Sequence, residues 1–304
     1  MKKLVSVVIR TLNEERYLEE LLSSIWHQNR SIYDIEVVIV DSGSSDNTLS
    51  IAEKWECRVT HIKKEEFTFG RSLNIGCEFS KGDFIVFISG HCVPCDEYWI
   101  NSLIQPLESD CAYTYGRQVA RDGTKYSEEQ LFKKYFPLES RIPQEGFFVN
   151  NANSAIRKDI WYCYNFDEEL TGCEDMFLAK ILTENGLKVG YVAEAPVYHI
   201  HNESWAQVQT RYEREALALQ KIMPQVHITF VEVIKYIAIG ILKDVRASIK
   251  DGVFIKNIHS IVRFRIAQYF GAYKGNHQTR RISKEMKERY FYPRITNMDI
   301  KGKY

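Results

Sequence analysis

Three short polar clusters each follow directly on an apolar run. Arg10-Thr11-Leu12-Asn13-Glu14 follows Leu4–Ile9, Asp41-Ser42-Gly43 follows Ile35–Val40, and Ser89-Gly90-His91 follows Phe84–Ile88. The runs have the length and β-branched content of buried strands, so the clusters should sit at strand ends. In open α/β sheets ligands bind outside the carboxyl ends of the strands, and one crevice could gather all three clusters. A carboxylate, several hydroxyls and an imidazole meeting there suit a nucleotide-type ligand. No Gly-x-Gly-x-x-Gly and no phosphate-loop lysine motif follows any of these strands, which argues against a dinucleotide dehydrogenase or a phosphate-loop ATPase. Cys92-Val93-Pro94-Cys95 has redox spacing, but no second such pair exists for a zinc site and nothing around it has a thioredoxin-like pattern.

The elements that must position these clusters alternate along the first hundred residues. Helical spacing of Leu18, Leu21, Leu22 and Ile25 predicts a helix over Asn13 to Trp26, with Asn13 as its cap. The turn cluster Asp41 to Asp46 leads into a helix from Thr48 to Trp55, then a short strand at Arg58–Ile62 and a helix from Arg71 to Ser80. Repeated β–α units with near-continuous apolar strands predict a parallel sheet covered on both faces. From Cys111 to Tyr198 the pattern is less regular: a strand at Cys111–Tyr115, a helix at Glu128–Phe136, the polar-aromatic run Gly146 to Ser154, and a helix opening near Glu174-Asp175. Beyond Trp205 the chain reads as helical and basic.

Composition bounds the class. The 304 residues are 45% hydrophobic and 26% charged, ordinary for a globular protein and far from a disordered, collagenous or disulfide-stapled chain. Forty basic residues balance forty acidic ones, so the whole molecule is no generic nucleic-acid binder. From Ile241 to Tyr304, however, fifteen Lys and Arg face five Asp and Glu, a net of +10. A basic tail on an acidic body suggests contact with something anionic, such as phospholipid or a phosphorylated acceptor, although a solvated helical face reads the same way. Seven scattered cysteines, and an opening Met1-Lys2-Lys3 that leads straight into a strand, favour a reducing cytoplasm. The apolar stretch Ile228 to Leu242 carries Glu232 and Lys235 and is too short to span a bilayer, so a packed or interfacial helix is expected there.

Taken in order, the motifs resemble a family. Val7 to Glu14 and Val38 to Thr48 are similar to the opening of the family 2 inverting glycosyltransferases with the GT-A fold. Phe69 to Gly76, Tyr115-Gly116-Arg117-Gln118, Phe166-Asp167-Glu168, Cys173-Glu174-Asp175 and Val197-Tyr198-His199-Ile200-His201 resemble its rhamnosyltransferase-like bacterial branch. These matches run over about residues 4 to 215; the Gly271 to Asn276 stretch is a vaguer echo. The resemblance implies an α/β fold with a Rossmann-like mixed sheet flanked by helices and a GT-A domain over 1–222; the residue pattern itself adds a basic helical region over 223–304.

It also implies roles. A nucleotide-sugar donor would be held by Thr11, Asn13, Glu14, Asp41, Ser42, Gly43, Arg71, Ser89 and His91, with Asp41 reading the base and Arg71 on the diphosphate. Asp-Ser-Gly is also good turn chemistry by itself, and Arg71 could equally be a surface helix arginine. An inverting transfer needs a base to take the acceptor's proton and positive charge or donors on the departing diphosphate. The resemblance assigns the base to Asp175, beside Glu174; the plain alternative is acidic charge complementing a helix dipole. Asn150, Asn151 and Asn153 form a candidate acceptor-side loop.

The sequence departs from the family at the fourth strand. Asp-x-Asp is usual there for a divalent cation, and this chain has Ser89-Gly90-His91. His91, with His199 and His201, could still take a metal, and imidazole suits Mn²⁺ better than Mg²⁺. The alternative is metal-free transfer, with His91, Arg71, Arg211 or Arg214 neutralising the leaving group, which a CMP-linked sugar would make easier. The expected function is transfer of a sugar to a glycan or lipid-linked acceptor for a bacterial capsule or lipopolysaccharide O-antigen, in the cytoplasm and peripherally on the inner membrane. A nucleotidyltransferase would keep two metal-binding acids that Ser89-Gly90-His91 does not supply. A degenerate nucleotide-sugar binding or assembly module is the non-enzyme alternative, opposed by the intact Glu174-Asp175.

Overall fold

Residues 2–278 and Tyr290 are described by the computed structural model. Much of the basic region beyond Gln278 therefore lies outside the described residues. The chain forms two compact units. The first comprises the described residues up to Asp122 with Phe132–Leu170 and Glu174–Ile200; the second comprises Gly123–Leu131, Thr171–Cys173 and the described residues from His201 onward. Ile222 and Met223 both fall in the second unit.

In chain order the elements are β1 (Lys3–Thr11), α1 (Glu15–Trp26), β2 (Tyr33–Asp41), α2 (Thr48–Lys54), β3 (Arg58–His61), α3 (Phe69–Phe79), β4 (Phe84–Ser89), β5 (Cys92–Pro94), α4 (Trp99–Ile104), β6 (Cys111–Val119), α5 (Tyr126–Tyr135), β7 (Asn153–Arg157), α6 (Lys158–Cys163), α7 (Glu174–Glu184), β8 (Lys188–His199), α8 (Trp205–Ile222), α9 (Phe230–Lys250) and α10 (Phe254–Asn276).

The strands make one sheet in the order β3-β2-β1-β4-β7-β6-β8-β5. β3, β2, β1 and β4 run parallel, as their continuous apolar character predicts. The other half is mixed: β7 is antiparallel to β4 and to β6, β8 parallel to β6, and β5 antiparallel to β8. Side chains alternate between the faces of the sheet. Val7, Ile9, Val86 and Ile88 join Leu18, Leu21, Leu22 and Ile25 of α1 in one core, while Val8, Val38, Val40 and Phe87 join Leu73 and Cys77 of α3 in another. Burying such an aliphatic side chain contributes about 1.5–3 kcal/mol, which is why the 3–4 spacing of the leucines decides where α1 lies.

One expectation is corrected. Asn13 does not cap α1: it sits at φ 57°, and its Oδ1 accepts from the Ser45 main-chain N–H at 2.8 Å. The less regular stretch after Cys111 also carries β7 and β8, strands that its pattern does not announce.

In the second unit α8 and α9 each begin with a capping box, Ser204 with Gln207 and Thr229 with Glu232, which satisfies amides the first turn leaves open. Gly271 and Gly275 let α10 lie directly on α8. A Cβ on Gly275 would stand 2.0 Å from the Glu213 carbonyl oxygen, and one on Gly271 2.3 Å from that of Gln209. α9 is fixed to α10 by a buried two-pronged ion pair: Arg265 Nε and Nη2 donate to the two Asp244 carboxylate oxygens, each at 2.7 Å. Among the described residues no helix is long and apolar enough to cross a membrane.

Candidate active site

At the carboxyl end of β1 and β2 the chain builds a laced pair of loops. Thr11 and Asp41 are register partners, and Thr11 Oγ1 donates to Asp41 Oδ1 at 3.0 Å. Ser44 Oγ donates to the same oxygen at 2.5 Å, and the Gly43 and Ser44 amides donate to Oδ2 at 2.9 and 3.0 Å. Ser42 Oγ donates to the Thr11 carbonyl. Asp41 is thus 1% exposed with its carboxylate committed to its own turn, which is the turn-building role its sequence context also allows. The Glu14 amide donates to Thr48 Oγ1 at 2.8 Å, which aims the Glu14 side chain past the end of β4. There Gly90 gives it room: a Cβ at that position would be 2.8 Å from Glu14 Cγ.

The carboxyl end of β4 gathers the rest. Ser89 is the register partner of Arg10, and its amide donates to the Ala152 carbonyl at 3.4 Å. That contact brings the 150–153 loop over the strand end, and the Asn151 amide donates to Asp175 Oδ2 at 2.7 Å. The Met176 amide holds Oδ1 at 2.7 Å. Glu174, 4% exposed, faces Arg10 Nη1 at 3.5 Å, and the Arg10 guanidinium lies 5.1 Å over the Phe69 ring. Burial first, and the adjacent Glu174 charge second, push the Asp175 carboxyl up to about 7, against the pull of the two amides and of Arg10. A carboxyl titrating there can take a proton at neutral pH, which an ordinary aspartate does poorly.

The three asparagines separate on inspection. Asn153 is fully buried; its Oδ1 accepts from Trp99 Nε1, and its Nδ2 donates to the Arg117 and Ala195 carbonyls. Asn150 accepts from Gln118 Nε2 and from the Ala152 amide. Both therefore build the loop rather than face a ligand. Asn151 differs. Tyr113 Oη and Ser154 Oγ both donate to its Oδ1, while its Nδ2 is buried with no partner. A buried donor left open beside a raised carboxyl is the kind of group that a substrate oxygen satisfies.

His91 and His199 come together. Their rings stack with centroids 5.3 Å apart, and Phe132 stacks on His199 at 5.8 Å. His91 Nδ1 is 3.1 Å from Glu14 Oε1. His199 Nδ1 is 2.7 Å from Gln118 Oε1, and the Gln118 amide is oriented by its bond to Asn150. Both rings are thus held through Nδ1–H by an oxygen, the orientation that presents Nε2 as the basic nitrogen of a metal-binding imidazole. The donor chemistry fits a divalent cation that accepts nitrogen, with Glu14 as the carboxylate that orients His91.

His201 belongs to the second unit. Its Nδ1 is 2.7 Å from Glu128 Oε1, and Glu128 is 2% exposed. Arg211 donates to the same oxygen at 2.6 Å and grips Glu203 at 2.8–3.1 Å. Burial alone would push Glu203 up, but the Arg211 charge holds it at about 2. Glu128, His201 and Glu203 offer atoms within 4.8 Å of one another, yet Arg211 already neutralises the acids, so the cluster is an ion-pair network. The suggestion that Arg211 neutralises a leaving group is corrected accordingly. Arg71 is 43% exposed with Glu66 at 3.8 Å; the arginine that reaches the acidic pair is Arg10, whose place beside Thr11 at the end of β1 was the available signal.

Cys92 is buried and Cys95 is half-buried, and both are free thiols; burial pushes Cys95 up to about 11, far from a reactive thiolate. A cavity of about 580 Å³ lined by Lys3, Phe84 and Arg157 lies at the opposite end of the strands, away from these groups.

A sheet with this order, with an acidic pair at the ends of its parallel strands, is an α/β arrangement of the GT-A type. The sequence profile of glycosyl transferase family 2 matches residues 6–164, more than half of the chain, and the protein belongs to that family; it is a glycosyltransferase. It is 26% identical over 222 residues to the O-antigen chain rhamnosyltransferase RfbN of Salmonella typhimurium, covering 68% of this chain and 70% of that protein. Over 263 residues it is 27% identical to the poly(ribitol-phosphate) β-N-acetylglucosaminyltransferase TarS of Staphylococcus aureus, covering 81% of this chain but 42% of that protein. Among solved structures, the mannosyltransferase PcManGT of Pyrobaculum calidifontis, in complex with GDP-Man and Mn²⁺, superposes with a TM-score of 0.56 at 15% identity over 90% of this chain and 74% of that one. Residues 1–349 of S. aureus TarS superpose with a TM-score of 0.52 at 17% identity, over 90% of both chains. These likenesses show the fold.

Proposed function

We propose that the protein moves a sugar, with inversion, from a nucleotide-sugar donor to a hydroxyl of a glycan or lipid-linked acceptor in bacterial surface polysaccharide synthesis. Asp175 is the base. Its carboxylate takes the hydroxyl proton as that oxygen attacks the anomeric carbon from the face opposite the leaving nucleotide. The bond to the nucleotide phosphate breaks, and the configuration inverts. The single observation carrying this is the buried Asp175 carboxyl, raised to about 7 and held by the Asn151 amide at 2.7 Å over the end of β4. Asn151 Nδ2 would donate to the acceptor beside it. Arg10 tethers Glu174 beside Asp175 without displacing it.

His91 and His199 would hold a divalent cation, which when bound neutralises the departing diphosphate, with Glu14 orienting His91 through Nδ1. The relatives' acceptors, an O-antigen chain and a poly(ribitol-phosphate), are the grounds for a surface glycan as the acceptor class here. An acceptor carried on lipid would bring the enzyme to the cytoplasmic face of the inner membrane. Asp175→Asn tests the reading: transfer should be lost while the nucleotide sugar still raises the melting temperature. Normal turnover by that variant would put the base elsewhere.

A further inference from the structure

α9 carries a surface that sugar transfer does not require. Val233, Gly240, Asp244 and Ser248 form its buried side. Away from that side Val231, Ile234, Ala238, Leu242 and Ile249 follow one another at steps of three, four, four and seven residues and are all exposed, Val231 by 77% and Leu242 by 54%. That spacing makes a single apolar stripe along the 21-residue helix. Beside the stripe Lys235, Lys243, Arg246 and Lys250 are exposed as well, on one rim. Of the acids of α9, Asp244 is buried against Arg265, and Glu232 stands in the first turn beside Lys235, held in the capping box with Thr229, so the rim is predominantly basic. Just after the helix Ile255, 88% exposed, and Lys256 continue the same composition.

An apolar stripe with a predominantly basic rim on a helix too polar to span a bilayer is the pattern of a helix lying in the headgroup layer of an anionic membrane. A second copy of the chain is a poorer occupant. A two-fold contact sets the same patch against itself, so the four lysines and arginines of one rim would meet those of the other with Glu232 alone to offset them. We propose that this face of α9 docks on anionic lipid, with the Val231–Ile249 stripe at the acyl boundary and the Lys/Arg rim on lipid phosphates. The proposal deepens the reading that the acceptor is lipid-linked, by naming the surface from which the enzyme would meet it.

Sedimentation of the full chain with vesicles tests it, using phosphatidylglycerol mixed with phosphatidylethanolamine against phosphatidylcholine alone. The wild type should pellet with the anionic vesicles and remain largely unbound with phosphatidylcholine. The double variant Ile234→Ser/Leu242→Ser should lower partitioning about tenfold or more by removing buried aliphatic carbon. The triple variant Lys235→Glu/Lys243→Glu/Arg246→Glu should lose binding to anionic vesicles altogether. All substituted side chains are exposed, so far-ultraviolet circular dichroism should match the wild type. Equal binding of the variants, or of the wild type to both lipids, would overturn the proposal. So would a solution dimer that Ile234→Ser/Leu242→Ser dissociates in the absence of vesicle binding. Sugar transfer is read separately in the Asp175→Asn chain: a chain that binds vesicles and whose Asp175 proves dispensable refutes the base assignment and leaves the docking face standing.

Discussion

The Asn151 main-chain N–H holds Asp175 Oδ2 at 2.7 Å, so the loop at the end of β4 and the first turn of α7 share one carboxylate. The bond does two things at once. It fixes the carboxylate over the strand ends, where a donor's reactive centre belongs in this fold, and it leaves the other oxygen on the Met176 amide. Neither partner is a charged side chain. Both amides pull the carboxyl toward its ionised form, and burial together with the Glu174 charge outweighs them.

That arrangement predicts the Asp175→Asn phenotype in numbers. Loss of a general base costs about 10²–10⁴ in kcat. The isosteric amide keeps the shape of the site, so donor affinity, measured by calorimetry with the intact nucleotide sugar, should change by less than about threefold.

The pH dependence follows with a definite sign. The base must be ionised, so kcat/KM should rise with pH through about 7 and level off above it. Glu174 is a cause of the elevation, so Glu174→Gln should move that limb to lower pH, and Arg10→Met, which removes an opposing charge, should move it higher. Stability runs the other way. The folded state holds the Asp175 proton more tightly than the unfolded chain, whose carboxyl titrates near 3.8. This contribution is present in full below that value and is lost as pH rises through about 7. Asp175→Asn should then lose less melting temperature than the wild type between pH 5 and pH 8. A flat rate profile over that interval would rule out Asp175 as the titrating base.

Tyr113 should matter without touching substrate. It is fully buried, and its hydroxyl, together with that of Ser154, fixes the side chain of Asn151, the residue whose main-chain N–H holds Asp175. Tyr113→Phe removes one of these two donors and should cost about 1 kcal/mol of stability. It should lower kcat about tenfold, since small misplacements of a reacting group have large effects, while the donor KM stays within about twofold. A change confined to stability, with kcat and the pH profile intact, would mean the network is only packing.

How much of this was legible beforehand can be traced residue by residue. The parallel half of the sheet was readable because its strands are buried on both faces and announce themselves as unbroken apolar runs. β7 was not, because Asn153-Ser154-Ala155-Ile156-Arg157 is half polar: Asn153 and Ser154 are buried by hydrogen bonds to Trp99, Ala195 and Asn151, partners that no local pattern reveals. The strand-end clusters are found by the rule that ligands gather there, and Asp41, found the same way, makes four hydrogen bonds within the two loops. Arg10 was overlooked because a single arginine in a motif carries no period. Its pairing with Glu174 spans 164 positions in the chain and exists only once the sheet has formed.

The histidines give the remaining prediction. With Ser89 where an acid is usual, nitrogen ligands carry whatever cation binds, and nitrogen favours Mn²⁺ over the strictly oxygen-seeking Mg²⁺. Transfer should fall after EDTA treatment and return further with Mn²⁺ than with Mg²⁺ at equal concentration. Gln118→Leu leaves both imidazoles in place but removes the acceptor that orients His199 through Nδ1. Loss of an orienting partner typically weakens metal affinity 10–100-fold, so this variant should need correspondingly more Mn²⁺ for half-maximal activity and approach the wild-type rate at saturation. His91→Ala should not be rescued at any Mn²⁺ concentration tested. Full activity in EDTA would instead assign the neutralisation of the leaving group to side chains alone, and the stacked pair at 5.3 Å would then be a packing contact, as its sandwiching neighbour Phe132 also permits.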